Sequence, residues 1–195
     1  MINFNTFPPE DNASNICGPG SEPIWFAADA WASLAQDLRD ASEQWANQVG
    51  VAEGLFQGEA ASKFGAAARQ YYIWLSKHAE TADETAWYLD IAALAYERAV
   101  KSMVPEASVM ANRVAAWTMR ANNTFFGQFT PRIAELDAEY EKMWATNAEA
   151  MNVYQSAILD ITEQVVAESE ILPPPQVIFS SRFSDVYVSE NIIIQ

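Results

Sequence analysis

From Ser21 onward, apolar side chains recur at Ile24, Ala28, Trp31, Leu34, Leu38, Ala41, Trp45, Val49 and Ala52, each three or four residues after the last. That step keeps them on one side of a 3.6-residue turn and predicts a long amphipathic helix. The pattern breaks at Gly54-Leu55-Phe56-Gln57-Gly58, where two glycines bracket a short apolar turn. It resumes at Phe64, Ala68, Tyr71, Leu75, Ala82, Ala86, Leu89, Ala93, Tyr96, Val100 and Met103, and Pro105 ends or kinks that second helix. A third helix is predicted from Glu106 to about Ala121, carrying Val109, Met110, Val114 and Trp117. After a loop from Asn122 to Phe129, Thr130-Pro131 supplies an N-cap and a proline at the first helical position. The last helix shows Ile133, Leu136, Tyr140, Met143, Met151, Tyr154, Ile158, Ile161 and Val165, and stops before Pro173-Pro174-Pro175.

A continuous second helix of roughly 45 residues would be about 65 Å long at 1.5 Å per residue. The expected fold is therefore all-α, an elongated rod of long helices joined by short turns into antiparallel hairpins. A rod has little volume for its surface, so its own core is thin. The expected division is a helical domain over residues 1–172 and a Pro-rich junction with a short tail over 173–195. Pro8-Pro9 predicts an extended lead, because neither proline fits a helix interior. Gly18-Pro19-Gly20 then punctuates a turn, and Ser21 is placed to accept unpaired amides at the next helix start, with Pro23 in its first turn. Val177, Ile178, Phe179, Val186, Tyr187, Val188 and Ile192-Ile193-Ile194 give the tail a β-prone character among serines. Poor order is expected there, with a weak docking strand as the alternative.

The formal charge is −15, from 26 acids against 11 bases. Phosphate backbones and anionic lipid would repel such a chain, which argues against nucleic acid and membrane surfaces as partners. Half of the residues are hydrophobic and 12% aromatic, with seven Trp and ten Phe. That exceeds what a thin core of this size can use and points to a surface shared with another protein. Cys17 is the lone cysteine, so no internal disulfide can form, and beside Gly18 it reads as a small packing residue. No 18-residue window is apolar enough to span a bilayer, and the N-terminus lacks a basic segment and hydrophobic signal core. By these signals the chain reads as cytoplasmic, with export left to a route that needs no signal peptide.

Little in the sequence suggests catalysis. His78 is the single histidine, so a His-based triad has one candidate and no adjacent Ser or Cys signature. A di-iron bundle needs Glu-x-x-His on facing helices, whereas Leu75 stands three residues before His78. Neither standard glycine-rich phosphate loop occurs. No enzyme, metal, cofactor or small-molecule substrate is expected. The informative residues are surface aromatics instead. Trp25, Phe26, Trp31 and Trp45 occupy more than one stripe of the first long helix. At the other hairpin, Phe125-Phe126-Gly127-Gln128-Phe129 gathers three rings at a tip that would ordinarily be polar. On physical grounds the rings either fold back as a cap over the helix ends or anchor another protein.

Pro8-Pro9-Glu10, Gly18-Pro19-Gly20-Ser21, Trp74-Leu75, Val104-Pro105, Asn112-Arg113 and Asn122-Asn123 occur in the order found in one known family. Phe126-Gly127-Gln128-Phe129-Thr130 and the segment from Glu139-Tyr140 to Met143-Trp144 continue it. Over about residues 1–170 the chain resembles the N-terminal domain of the mycobacterial PPE family, named for its Pro-Pro-Glu. The resemblance implies a non-enzymatic protein that pairs with a smaller PE protein, two helices from each forming a four-helix bundle. Trp31, Leu34, Leu38, Trp45, Phe64, Tyr71 and Trp74 would then line partner and core faces.

The same resemblance implies export by type VII secretion to the cell surface or beyond, after capture in the cytoplasm by an EspG-type chaperone. The chaperone would hold the tip, here Asn123, Thr124, Phe125, Phe126, Gly127, Gln128 and Phe129, which favours the anchor reading. The family's usual Trp-x-Gly turn is Phe56-Gln57-Gly58 in this chain, so an indole N–H is missing at Phe56. A Tyr-x-x-x-Asp/Glu export motif is absent, and the resemblance places it on the PE partner beside Phe56 and Gly58. Only 20 residues follow the last proline, as in short PPE members. The rival reading is a helical scaffold that uses the same stripes to associate with itself.

Overall fold

The computed structural model describes residues 1–55, 57–124, 126–168 and 173–175. Among these the chain is helical, with no strand. A 3-10 turn at Phe4–Thr6 precedes α1 (Pro9–Ile16), α2 (Glu22–Leu55), α3 (Glu59–Ser102), α4 (Glu106–Asn122) and α5 (Thr130–Glu168). Phe56, Phe125 and the β-prone tail beyond Pro175 lie outside the described residues. The long helices follow the predicted order. α3 starts at Glu59, ahead of Phe64, because Gly58 adopts the left-handed φ of +105° that the turn requires.

The prolines do not hold an extended lead. Pro8, at φ −62° and ψ 156°, precedes α1, and Pro9 is its first helical residue. A proline there sacrifices nothing, since its missing N–H is one that a helix start leaves unpaired anyway. Ser21 also acts differently from expectation. Its carbonyl accepts the amides of Ile24 and Trp25, while its hydroxyl donates to Glu97 across the hairpin at 2.8 Å. Cys17 is exposed rather than packed, with its thiol donating to the carbonyl of Ala13.

α2 and α3 form an antiparallel hairpin. Trp25 Nε1 donates to Glu97, Arg39 pairs with Asp83, and Trp45 Nε1 donates to the Ala68 carbonyl, so the register marches in opposite directions along the two helices. The seam between them consists mainly of small residues. Ala28, Ala35 and Ser42 are buried on α2, facing Ala68, Leu75, Ala79, Ala82, Ala86 and Ala93 on α3. Steps of seven recur in both sets, the repeat that keeps a seam straight between coiled helices. Small side chains let the helix axes approach closely, and this pushes the bulky members of the predicted stripe to the flank of the seam. Trp31 and Leu34 are exposed, at 40% and 43%.

α5 returns along the second half of α3, with the rings of Tyr96 and Tyr154 6.1 Å apart. Where α3 gives way to α4, Phe4, Ile16, Ala99, Met103, Ala150 and Met151 form one buried cluster. Below that corner, α1, α4 and the first half of α5 pack together. α4 buries Val109, Asn112 and Ala116. Met110, Val114 and Trp117, grouped with Val109 on sequence periodicity, point outward instead, Trp117 at 72% exposure. The periodicity was real but marked an outer stripe as well as an inner one.

Candidate functional site

Among the described residues, two apolar faces stand out that the helices do not cover. The first lies on the free part of the α2–α3 hairpin. α5 ends at Glu168, 14 residues beyond Tyr154, hence about 21 Å further along α3, at the height of about Ala82. The stretch of α3 from Glu59 to about Glu80 therefore has α2 beside it and no other described helix. On this arm the Trp45 and Tyr71 rings meet edge-on at 4.9 Å, and Tyr71 stacks on Trp74 at 5.4 Å. His78 continues the row, 4.6 Å from Trp74. Trp45, Phe64, Tyr71 and Trp74 are half-buried.

Helical spacing places Trp31, Leu34, Leu38 and Trp45 on one side of α2, and Phe64, Tyr71 and Trp74 on one side of α3. The Trp45–Tyr71 contact shows that these two sides adjoin. Trp45, Tyr71 and Trp74 meet on this arm and Phe64 shares their side of α3, whereas Trp31, Leu34 and Leu38 share the Trp45 side of α2 but lie further along it, level with the part of α3 that α5 flanks. Towards the turn, a hollow of about 240 Å3 opens between Trp45, Val49, Gly50, Gly65 and Tyr72. A Cβ on Gly65 would meet only the carboxylate end of the Glu53 side chain, which can swing aside. Gly58 shapes the turn itself, and the Phe56 side chain lies outside the described residues.

The second face is the opposite end, between α4 and α5. Gly127, at φ +67°, turns the chain, and the Asn123 amide ties the loop by accepting from the Phe129 N–H at 3.0 Å and donating to Thr130 Oγ1 at 3.1 Å. Phe126 is fully exposed and sits at φ +52°. Left-handed backbone costs an L-residue about 1 kcal/mol or more. The tip therefore holds an aromatic ring out in water on a strained backbone. Phe129 is partly buried, Gln128 and Thr124 are exposed, and Phe125 lies outside the described residues.

Sequence reading missed the neighbour of this tip. Met110, Val114 and Trp117 follow one another at helical steps along the outside of α4, and each is about half exposed or more. A signal was present in the charges. Between Glu106 and Glu135 the chain carries no acid at all and three arginines, Arg113, Arg120 and Arg132, in a molecule whose net charge is −15. Asp137 binds two of these arginines, with Arg120 Nη2 at 2.6 Å and Arg113 Nη1 at 3.1 Å. The Arg120 hydrogen bond, then that of Arg113, holds the Asp137 carboxyl below the usual carboxylate range.

Pro8, Pro9 and Glu10 lie on neither face. Glu10 accepts a hydrogen bond from the Tyr140 hydroxyl at 3.1 Å, and the Pro9 carbonyl accepts from Asn147 Nδ2 at 2.9 Å. Burial, reinforced by Glu10, pushes the Tyr140 phenol up to about 12. Among the described residues, no three His, Cys, Asp or Glu side chains are grouped to hold a metal ion. A hollow of about 550 Å3 between α3 and α5 is floored by Ala95, Ala99, Ala150 and Ala157. Ser102, Thr146 and Glu149 also line it, and the Ser102 and Thr146 hydroxyls donate to the carbonyls of Ala99 and Lys142 within their own helices.

Fold and surfaces together define an all-helical protein whose distinctive features are two exposed apolar faces at opposite ends. The chain belongs to the PPE family, whose model matches residues 3–166. It is similar to the uncharacterized PPE family protein PPE36 of Mycobacterium tuberculosis, at 38% identity over 177 residues, covering 90% of this chain and 71% of that protein. It is also similar to the serine-rich antigen of Mycobacterium leprae, 34% identical over 180 residues, 91% of this chain and 43% of the relative. PPE45 of Mycobacterium bovis is 39% identical over 164 residues, 83% of this chain and 40% of its own length. The last two relatives are thus more than twice as long as the part they share with this chain.

Proposed function

We propose that this PPE protein is one half of a heterodimer with a PE-type protein, which lays two helices on the arm to complete a four-helix bundle. The observation that carries the reading is the aromatic face of Trp45, Tyr71 and Trp74 on a stretch of hairpin that α5 does not reach. An α2–α3 seam made mostly of small residues gives a two-helix arm little apolar burial of its own, at about 25 cal/mol per Å2. A second apolar hairpin would bury Trp31, Leu34 and the open sides of the half-buried rings. No enzymatic step is assigned to either face.

The tip would serve export. An EspG-type chaperone would take the Phe126 ring, held out by its strained backbone, and the footprint would continue along Met110, Val114 and Trp117. Release of the heterodimer into the type VII secretion machinery would then deliver it to the surface or the medium. Among the described residues no helix is long and apolar enough to cross a membrane.

Co-expression with a PE-type reading frame tests the first half of the proposal. A soluble one-to-one complex is expected, together with its loss in Leu34→Asp. A monodisperse homodimer of the chain alone, broken by the same substitution, would establish the self-associating scaffold instead. For the tip, Phe126→Asp should abolish capture by the chaperone and leave the heterodimer intact.

A further inference from the structure

The Pro-Pro-Glu segment lies on neither interaction face, yet Pro9 and Glu10 are both hydrogen-bonded to α5. Pro9 and Asn12 are fully buried. The Pro9 carbonyl takes a hydrogen bond from Asn147, which is itself fully buried. The same Asn147 side chain brackets Val104, accepting from its N–H at 2.7 Å and donating to its carbonyl at 3.1 Å. One amide therefore fastens α5 both to the N-terminal segment and to the corner where α3 stops and α4 begins. Asn12 Nδ2 closes the segment on itself by donating to the Phe4 and Phe7 carbonyls, and Trp144 Nε1 donates to the Asn5 carbonyl.

Glu10 extends the connection towards the tip. Its carboxylate accepts from Tyr140, and the Tyr140 ring carries the Arg113 guanidinium 4.1 Å above its centre. Arg113 donates to Asp137 and to the Leu136 carbonyl, and Asp137 holds Arg120 on the last turn of α4. The links run unbroken from residue 10 to residue 120, across α5, into α4.

The packing explains why such a connection matters. α4 buries only Val109, Asn112 and Ala116 along its 17 residues, so its polar links to α5 carry much of its placement. α1 is the third element of this lower half, packed on α4 and α5, and its last residue, Ile16, also meets the foot of α3 at Ala99 and Met103, well away from residues 60–80 at the other end of that helix. We propose that the Pro-Pro-Glu segment is a strap that makes the tip-bearing half a cooperative unit of its own. With it, α1, α4 and the first half of α5 hold the tip in one geometry; when it is cut, α4 and the tip loosen while the arm keeps its structure.

Hydrogen exchange of the full chain, carried on a soluble fusion partner, reads the two halves separately. Glu10→Ala and Tyr140→Phe should each speed exchange at residues 106–133 at least tenfold and leave residues 60–80 unchanged. The double variant should be little faster than either single one, since both remove the same link. Glu10→Gln keeps an acceptor oxygen and should restore most of the protection. Asn147→Ala should produce the same regional pattern with larger amplitude. Unchanged exchange at residues 106–133 in all variants would overturn the strap. So would an equal acceleration in both regions, which would make the segment an ordinary contributor to global stability.

Discussion

The arm and the tip-bearing half are built from the same kind of helix and solve the same problem by different chemistry. In the arm, two uninterrupted helices satisfy their own backbones, and the seam needs nothing beyond small side chains that let the axes close. In the lower half the chain turns corners at Pro8-Pro9, at Met103-Val104-Pro105 and at the tip, and each corner strands backbone groups. Buried asparagines deal with them. Among the described residues, three of the four buried polar side chains are Asn12, Asn112 and Asn147, and all three lie in this half. The arm thus keeps its large rings for an outside face, while the lower half spends side-chain amides on holding a shape. A long straight hairpin can be specified by size alone, whereas a corner needs directional bonds.

Substitutions can separate these two designs. The largest effect is expected at Asn147, where alanine strands the Pro9 carbonyl and both backbone groups of Val104. A loss of about 3 kcal/mol follows from the cost of unpaired buried polar groups, measurable by chemical unfolding. Next comes Ala35→Leu, which inserts three carbons into a seam position with no exposed surface. It should lose about 2 kcal/mol by overpacking, because the helices would splay, and weaken the proposed heterodimer too. If Ala35→Leu were neutral, the arm would not be held by close approach, and the contrast would fail.

Trp45→Phe keeps the ring against Tyr71 but removes the indole donor to the Ala68 carbonyl. That carbonyl lies within a helix, so about 1 kcal/mol or less is expected, with partner affinity nearly intact. The smallest effect concerns pH. Asp137 is held below its ordinary range by Arg120 and Arg113, so its contribution is present above the unfolded value of about 3.9 and fades as pH falls through the lower folded value. Tyr140 runs the other way: with its folded value at about 12, its contribution is intact below about 10 and lost between there and 12. Asp137→Asn should remove the acid limb and Tyr140→Phe the alkaline one, both confined to the lower half. An arm that lost protection over the same pH range would contradict the division.

Much of the fold was legible in advance. Apolar steps of three and four gave the long helices, and Pro105 and Thr130-Pro131 gave their limits, because helix period and proline chemistry are local. Pro8-Pro9 misled, since the sequence rule against proline inside a helix says nothing against proline beginning one. α4 misled for a different reason. Met110, Val114 and Trp117 have the spacing and hydrophobicity of a core face, yet Val109, Asn112 and Ala116 are what the neighbours cover. Periodicity tells which residues share a side and is silent about which side meets another helix.

By itself, then, the sequence determined the helices, their order and the aromatic residues that stand together on each. Hydrophobic period and turn residues act within a few positions, and those features require no more. Only the tertiary structure decided which stripes are covered. Among the described residues only α2 flanks α3 at the height of Tyr71 and Trp74, and the closeness of the small-residue seam turns Trp31 and Leu34 outward. The role of Glu10 was likewise set by a neighbour 130 residues away, Tyr140, which no local rule could supply.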